Sequence, residues 1–161
     1  MFYTEYHSPI GKLLLAASER GLAGVYFEEH KYFKGTYGWA RNDSHPVMEQ
    51  TQLQLAAYFA GNRREFDLPL DLSHGTAFQQ LVWQALRTIA FGSTVSYLDI
   101  AKCVENPGAV RAVGAANGRN PISIVVPCHR VIASSGALTG YAGGLNNKTA
   151  LLALEVKSML L

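Results

Sequence analysis

The periodicity of the chain changes at His74, and that change constrains the fold more than any other feature of the 161 residues. Before it, short apolar runs alternate with tight turns. Residues 2–6 read as a strand, Ser8-Pro9-Ile10-Gly11 as a turn, and residues 12–17 as a second strand. Glu19-Arg20-Gly21 turns again, into a third strand over residues 22–27. Strands joined this closely favour an antiparallel meander. Residues 28–44 lack periodicity and read as loop. A helix is predicted from Val47 to Phe59, stopped by Gly61, with mixed sequence and room for an extended segment over 63–72.

After His74 the pattern is helical. Thr76-Ala77-Phe78-Gln79 fits a capping box, and Phe78, Leu81, Val82, Ala85, Leu86 and Ile89 mark one face of the helix that follows. Ser96 can cap a short helix over 97–103. Asn106-Pro107 reads as a cap with proline at the first position of the next helix, which stops near Gly118. Joined by a three- or four-residue turn, this pair makes a helix-turn-helix. An extended apolar run over 122–126 leads into Pro127-Cys128-His129-Arg130-Val131. A glycine-rich loop, Gly140-Tyr141-Ala142-Gly143-Gly144, precedes a last helix over 148–155. The expected division is an α/β domain with an antiparallel sheet over 1–73 and a mainly α domain over 74–161.

Composition narrows the function classes. With 48% apolar and 16% charged residues the chain is not disordered. No apolar run approaches the ~20 residues of a membrane span, and the first residues lack the pattern of a signal peptide. Two cysteines, Cys103 and Cys128, cannot build a disulfide framework, which implies free thiols in a reducing, cytoplasmic setting. Residues 1–72 carry seven Lys and Arg against nine Asp and Glu, and residues 73–161 carry seven against three. The second half is therefore the candidate for a polyanionic partner.

Cys128 is the residue with the most chemistry around it. Pro127 fixes the path into it, and His129 and Arg130 suggest an electropositive setting that favours thiolate; the alternative is an inert, packed cysteine. Neighbours in an extended segment point apart, so His129 is expected to work through a bridging water, with an acid orienting its far side. Asp99 and Glu105 are expected to cap or face solvent, which leaves Glu155. Ala109, Ala112, Ala115 and Ala116 give the second helix of the pair little bulk. That suits either close approach to a minor groove, with Arg111 inserted, or packing in the core.

The ordered set of motifs resembles the O6-alkylguanine-DNA alkyltransferase family (methylated-DNA–protein-cysteine methyltransferases). Gly75-Thr76-Ala77-Phe78-Gln79, Val82-Trp83, Ser96-Tyr97, Arg111-Ala112-Val113-Gly114, Asn120-Pro121, the cysteine motif and the glycine-rich loop all match. The likeness is specific over 74–155 and thinner over 1–73, where Ser8-Pro9-Ile10-Gly11 and Tyr58-Phe59-Ala60-Gly61 carry it. It implies a ribonuclease-H-like first domain and a second domain with a winged-helix-like helix-turn-helix. It also implies irreversible transfer of an alkyl group from O6-alkylguanine in duplex DNA to Cys128, once per molecule and without a cofactor or metal. By the same resemblance Tyr97 rotates the nucleotide and donates to the base, and Arg111 fills the vacated stack with Ala112 and Ala116 on the DNA face. His129 relays a proton through water, Glu155 orients it, and Asn120 braces the site. Carbonyls of Cys128 and Val131 read the guanine amino group, and Tyr141 and Ala142 wall the pocket. Binding through the minor groove of a monomeric protein is expected, with clustering on DNA left open.

There are departures from the family's pattern. Ala90 stands where proline is usual, and Ala142 where some members have a hydroxyl residue. The zinc site of some members cannot form, because both cysteines lie beyond residue 100; His7, His30 and His45 are expected at the surface. A lesion-binding, alkyltransferase-like protein without transfer is the alternative, disfavoured because Cys128 is present. A cysteine hydrolase is disfavoured because adjacent Cys and His make an awkward dyad.

Overall fold

The computed structural model describes residues 1–160; Leu161, the last residue of the expected second domain, lies outside the described residues. Strands β1 (Phe2–Ser8), β2 (Gly11–Ser18) and β3 (Gly21–Phe27) form the expected antiparallel meander. At its first turn the Ser8 hydroxyl accepts from the Ile10 N–H and donates to the Gly11 carbonyl. A fourth short strand, β4 (Ala40–Arg41), pairs in parallel with β1, giving the order β3-β2-β1-β4. The sheet is therefore mixed rather than purely antiparallel. The segment after β3 crosses to the far edge before it pairs, and so arrives in the same direction as β1.

β3 lies at the edge of the sheet, yet six of its seven residues are buried. Backbone bonds cover its free side, as an edge strand requires. Leu22 exchanges hydrogen bonds with the Pro69 carbonyl and the Asp71 N–H, each 2.8 Å. Further along, the Val25 N–H donates to Pro121 at 2.9 Å and its carbonyl accepts from Ser123 at 3.3 Å. The second pair fastens the stretch leading to Cys128 directly to the sheet.

Helix α1 (Pro46–Phe59) opens with His45 as N-cap and Pro46 in the first turn, and packs Met48, Leu55 and Tyr58 into the core. His30, expected at the surface, is instead buried, and its Nδ1 accepts from the Phe27 N–H at 3.3 Å to close the turn after β3. Reciprocal side-chain and backbone bonds cap α2 (Ala77–Leu86) through Thr76 and Gln79, and α3 (Tyr97–Cys103) through Ser96 and Asp99. Helix α4 (Val110–Gly118) starts later than expected, and its N-cap Ala109 makes no side-chain bond. Pro107 and Gly108 sit instead in a turn closed by Ala109 N–H to Asn106 O at 2.9 Å, an arrangement that suits proline followed by glycine. The connection between α3 and α4 therefore covers residues 104–109.

Residues 122–126 are not a strand. Val126 N–H bonds back to Ile122 O at 2.9 Å, and Ile124 has φ 72°, so the segment is coiled. Its apolar composition reflects burial on every side, which a strand and a packed coil share. A 3-10 turn, Cys128–Arg130, follows, and β6 (Val131–Ile132) pairs in parallel with β5 (Val95–Ser96). Helix α5 (Leu145–Met159) is longer than expected at both ends, placing Glu155 within it rather than at its end. One hydrophobic cluster draws Leu13, Leu15, Val25 and Tyr58 together with Val82, Trp83, Ile122 and Leu151. Among the described residues, no helix is long and apolar enough to cross a membrane.

Candidate active site

The coil at 122–126 and the 3-10 turn after it decide where three side chains go. Asn120 holds both ends of the coil. Its Oδ1 accepts from the Ile122 N–H at 3.0 Å, and its Nδ2 donates to the Val126 carbonyl at 2.8 Å and to the Cys128 sulfur at 3.1 Å. His129 and Arg130 reach away to Glu155 on α5. The divergence expected between Cys128 and His129 is present, although it arises in a tight turn rather than a strand.

Glu155 is 1% exposed and surrounded by donors. Arg130 contributes Nε at 2.8 Å and a second nitrogen at 3.0 Å, the forked geometry that suits a carboxylate. The Tyr58 hydroxyl donates at 2.6 Å, and His129 Nε2 lies 2.7 Å away. Burial alone would raise the Glu155 carboxyl, but the bonds from His129 and Arg130 outweigh it and hold the pKa at about 2. An ionised carboxylate only accepts, so Nε2 must carry the proton. Nδ1 is then a bare lone pair, and it is buried without a partner. Burial lowers the His129 pKa and keeps the ring neutral. The histidine is thus a base aimed away from the acid that orients it.

Cys128 is not the thiolate that its neighbours in sequence suggested. It is 3% exposed, and burial raises its pKa to about 11 despite the Asn120 amide and the Lys148 charge, which act in the opposite sense. Arg130 is committed to Glu155, so the positive charge expected beside the sulfur lies elsewhere. The resting sulfur is a protonated thiol. Among the described residues, Asn117 Oδ1, Ser123 Oγ, His129 Nδ1 and the Tyr141 hydroxyl are buried without a hydrogen-bond partner. His129 is beside Cys128 in sequence, Asn117 is bonded to it, Tyr141 is electrostatically coupled to it, and Ser123 is coupled to Tyr141. Such a set suits an internal water or a polar ligand.

The carbonyls expected to read a base are engaged. Cys128 O accepts from the Val131 N–H, with the Asn117 amide at 3.5 Å, and Val131 O accepts from Lys148 Nζ at 2.7 Å. Lys148 is itself buried and also bonds Thr139 O at 3.1 Å. Tyr58, Asn117 and Lys148 are functional candidates to which the sequence assigns no role, and Arg130 is one whose charge is expected at the sulfur and is found on Glu155. Tyr58 stands only within a matching motif, and Asn117 and Lys148 carry no local signal.

A cleft of about 330 Å³ opens between α4 and the loop 139–142, lined by Tyr97, Gly114, Ala115, Tyr141 and Ala142. The Tyr97 and Thr139 hydroxyls are 2.9 Å apart across its rim. Arg111 and Ala112 are exposed on α4. Ala116, expected on the same face, is 3% exposed and accepts from Trp83 Nε1 at 2.8 Å through its carbonyl. It belongs to the packing face with Val113 and Asn117, which are also buried. Among the described residues, no group of three or more His, Cys, Asp or Glu could hold a metal ion.

Two family models match the chain. One, described as 6-O-methylguanine DNA methyltransferase, ribonuclease-like domain, covers residues 1–72, and the DNA binding domain of the same enzyme covers 77–157. A methylated-DNA–protein-cysteine methyltransferase of Mycolicibacterium paratuberculosis is 51% identical over 95% of this chain and 91% of its own. One from Methanosarcina acetivorans is 49% identical over 96% and 98%. A crystal structure of Mycobacterium tuberculosis OGT in complex with DNA superimposes with a TM-score of 0.90 at 49% identity, covering 98% of this chain and 94% of that one.

Proposed function

The chain belongs to the 6-O-methylguanine DNA methyltransferase family and repairs DNA by alkyl transfer to a cysteine; from that premise we propose that Cys128 is the acceptor and that His129 is its base. The observation that carries this assignment is the His129 tautomer. Glu155 fixes the proton on Nε2 and leaves Nδ1 a bare, buried base on the residue next to the one cysteine that is buried.

A donor carbon on the guanine exocyclic oxygen is hard to reach in a stacked duplex, so the nucleotide must leave the helix. Helix α4 approaches the minor groove of duplex DNA with Ala112 at the contact. Arg111 takes the place of the everted base, and Tyr97 guides the nucleotide into the cleft. The thiol proton passes through a water to His129 Nδ1. The sulfur then attacks the alkyl carbon, the carbon–oxygen bond breaks, and its electron pair stays with the guanine. Guanine is a poor leaving group as an anion, and a proton donated by the Tyr97 phenol lowers that barrier. The imidazolium formed at His129 is stabilised by the ionised Glu155 behind it. Asn120 steadies the sulfur throughout. Tyr141 and Ala142 wall the base, and the carbonyls of Cys128 and Val131 take its amino group by sharing or exchanging their present donors.

The product is a thioether. No group beside Cys128 could remove the alkyl, so each molecule acts once. The free thiols accord with a reducing, cytoplasmic setting, and a monomer holds every residue named. The test is duplex DNA carrying O6-methylguanine, followed by intact and peptide mass spectrometry. One methylene mass on Cys128, reaching one equivalent and then stopping, is the expected result. Cys128→Ala should bind the same DNA and transfer nothing. Repair by that variant, or methylation elsewhere on the chain, would refute the assignment.

A further inference from the structure

One wall of the cleft comes from the first half of the chain. Lys31 and Tyr32, in the loop between β3 and β4, line it opposite Tyr97 and Ala115 of α3 and α4, beside Tyr141 and Ala142. Two contacts hold them there. The Lys31 N–H donates to the Ala142 carbonyl at 2.8 Å, fastening this loop to the glycine-rich loop. The guanidinium of Arg119, the C-cap of α4, lies 3.6 Å from the centre of the Tyr32 ring, close enough for a cation–π interaction. Tyr32 also has φ 69°, a conformation that a bulky side chain adopts only where its surroundings impose it. Yet the ring is 47% exposed, so its burial is not what holds it. Phe27, at the end of β3, packs against Tyr141 with ring centres 6.0 Å apart. Gly143 has no room for a side chain against the Phe27 ring. The loop is thus registered on the cleft from both ends.

We propose that Tyr32 is a specificity-determining residue: its ring, clamped by Arg119, is the outer wall of the cleft and limits the size of the alkyl group that an everted guanine can carry in. The inference rests on the alkyl-transfer reading of the site. Tyr32 follows directly the residue that bonds Ala142, and Ala142 is one of the two residues that wall the base by that reading. On this inference a substituent longer than methyl extends from the base toward the ring, which shares the cleft with Tyr141 and Ala142. A wall of this kind acts by exclusion, so removing it changes the ratio between large and small substrates rather than the reaction itself.

The experiment compares second-order transfer rates from duplex oligonucleotides carrying O6-benzylguanine or O6-methylguanine, for the full-length protein and three variants. Tyr32→Ala should raise the benzyl-to-methyl ratio about tenfold, the scale at which pocket walls discriminate hydrocarbon groups. Tyr32→Phe, which keeps the ring, should leave the ratio within about twofold. Arg119→Ala, which frees the ring, should raise it as well. The ratio does not depend on the fraction of correctly folded protein, so a loss of stability does not imitate the effect. A Tyr32→Ala ratio equal to that of the unaltered protein overturns the inference. Failure of the unaltered protein to accept methyl at all overturns instead the transfer reading beneath it.

Discussion

Glu155 concentrates five donor contacts on one buried carboxylate, from Tyr58, His129, the Gly92 N–H and two nitrogens of Arg130, and acid should reveal how much of the stability it holds. Its folded pKa, about 2, lies below its ordinary value of 4.5. The unfolded chain therefore takes up the proton first as pH falls. The contribution is complete above the ordinary value and fades toward pH 2, by an amount on the order of 3 kcal/mol. His129 acts in the same direction: kept neutral by burial, it costs stability once the unfolded histidine protonates below its ordinary value of 6.5. Urea denaturation at stepped pH should show stability falling from near neutrality and more steeply below pH 4.5. Glu155→Gln should be less stable near neutrality by about 3–5 kcal/mol, because it leaves Arg130 buried without its partner, and should lose the lower limb of the curve. A lower limb of equal slope in that variant would show that the carboxylate is not the group titrating.

Helix α4 separates two roles along its short length. Val113 and Ala116 face the core, whereas Arg111 and Ala112 face out. If Arg111 fills a vacated stack, Arg111→Ala should slow repair of duplex DNA by about tenfold or more, with little effect on reaction with the free modified base, since only the duplex has a gap to fill. Equal slowing on both substrates would place Arg111 in the chemistry or the packing instead. Much of this half was legible in the sequence because its signals are local: Thr76 with Gln79 and Ser96 with Asp99 are capping pairs three residues apart. The coil at 122–126 was not legible. Its residues are enclosed by the sheet, by Asn120 and by the second half of the chain, and no window of five residues records that enclosure. The start of α4 was misplaced for a related reason: Pro107 suits a first helical turn and a β-turn alike, and Gly108 decided for the latter. Cys128, His129, Asn120 and Glu155 were all found in the sequence and are brought together. Tyr58 bonds Glu155 across 97 positions, a contact that the motif around it does not signal.

At the scale of the whole molecule that Tyr58–Glu155 bond joins the two halves, as do the ties from β3 to residues 121–123 and from Lys31 to Ala142. The sheet half is therefore part of the scaffold of the site. Tyr58→Phe deletes one buried bond to a charged group and should cost about 2 kcal/mol in urea denaturation; a change below about 0.5 kcal/mol would mean that the hydroxyl adds nothing to the four remaining donor contacts. The burial of Cys128 has a separate consequence for the population of molecules in a cell. Peroxides and electrophiles attack thiolates, and a sulfur kept protonated out of solvent offers them very little. Mild hydrogen peroxide should oxidise the exposed Cys103 while Cys128 stays reduced and competent for transfer; early loss of transfer activity would contradict this. A protein that works a single time is useful only if nothing else reaches its sulfur first, and the same packing that slows its ionisation preserves each copy until a lesion arrives.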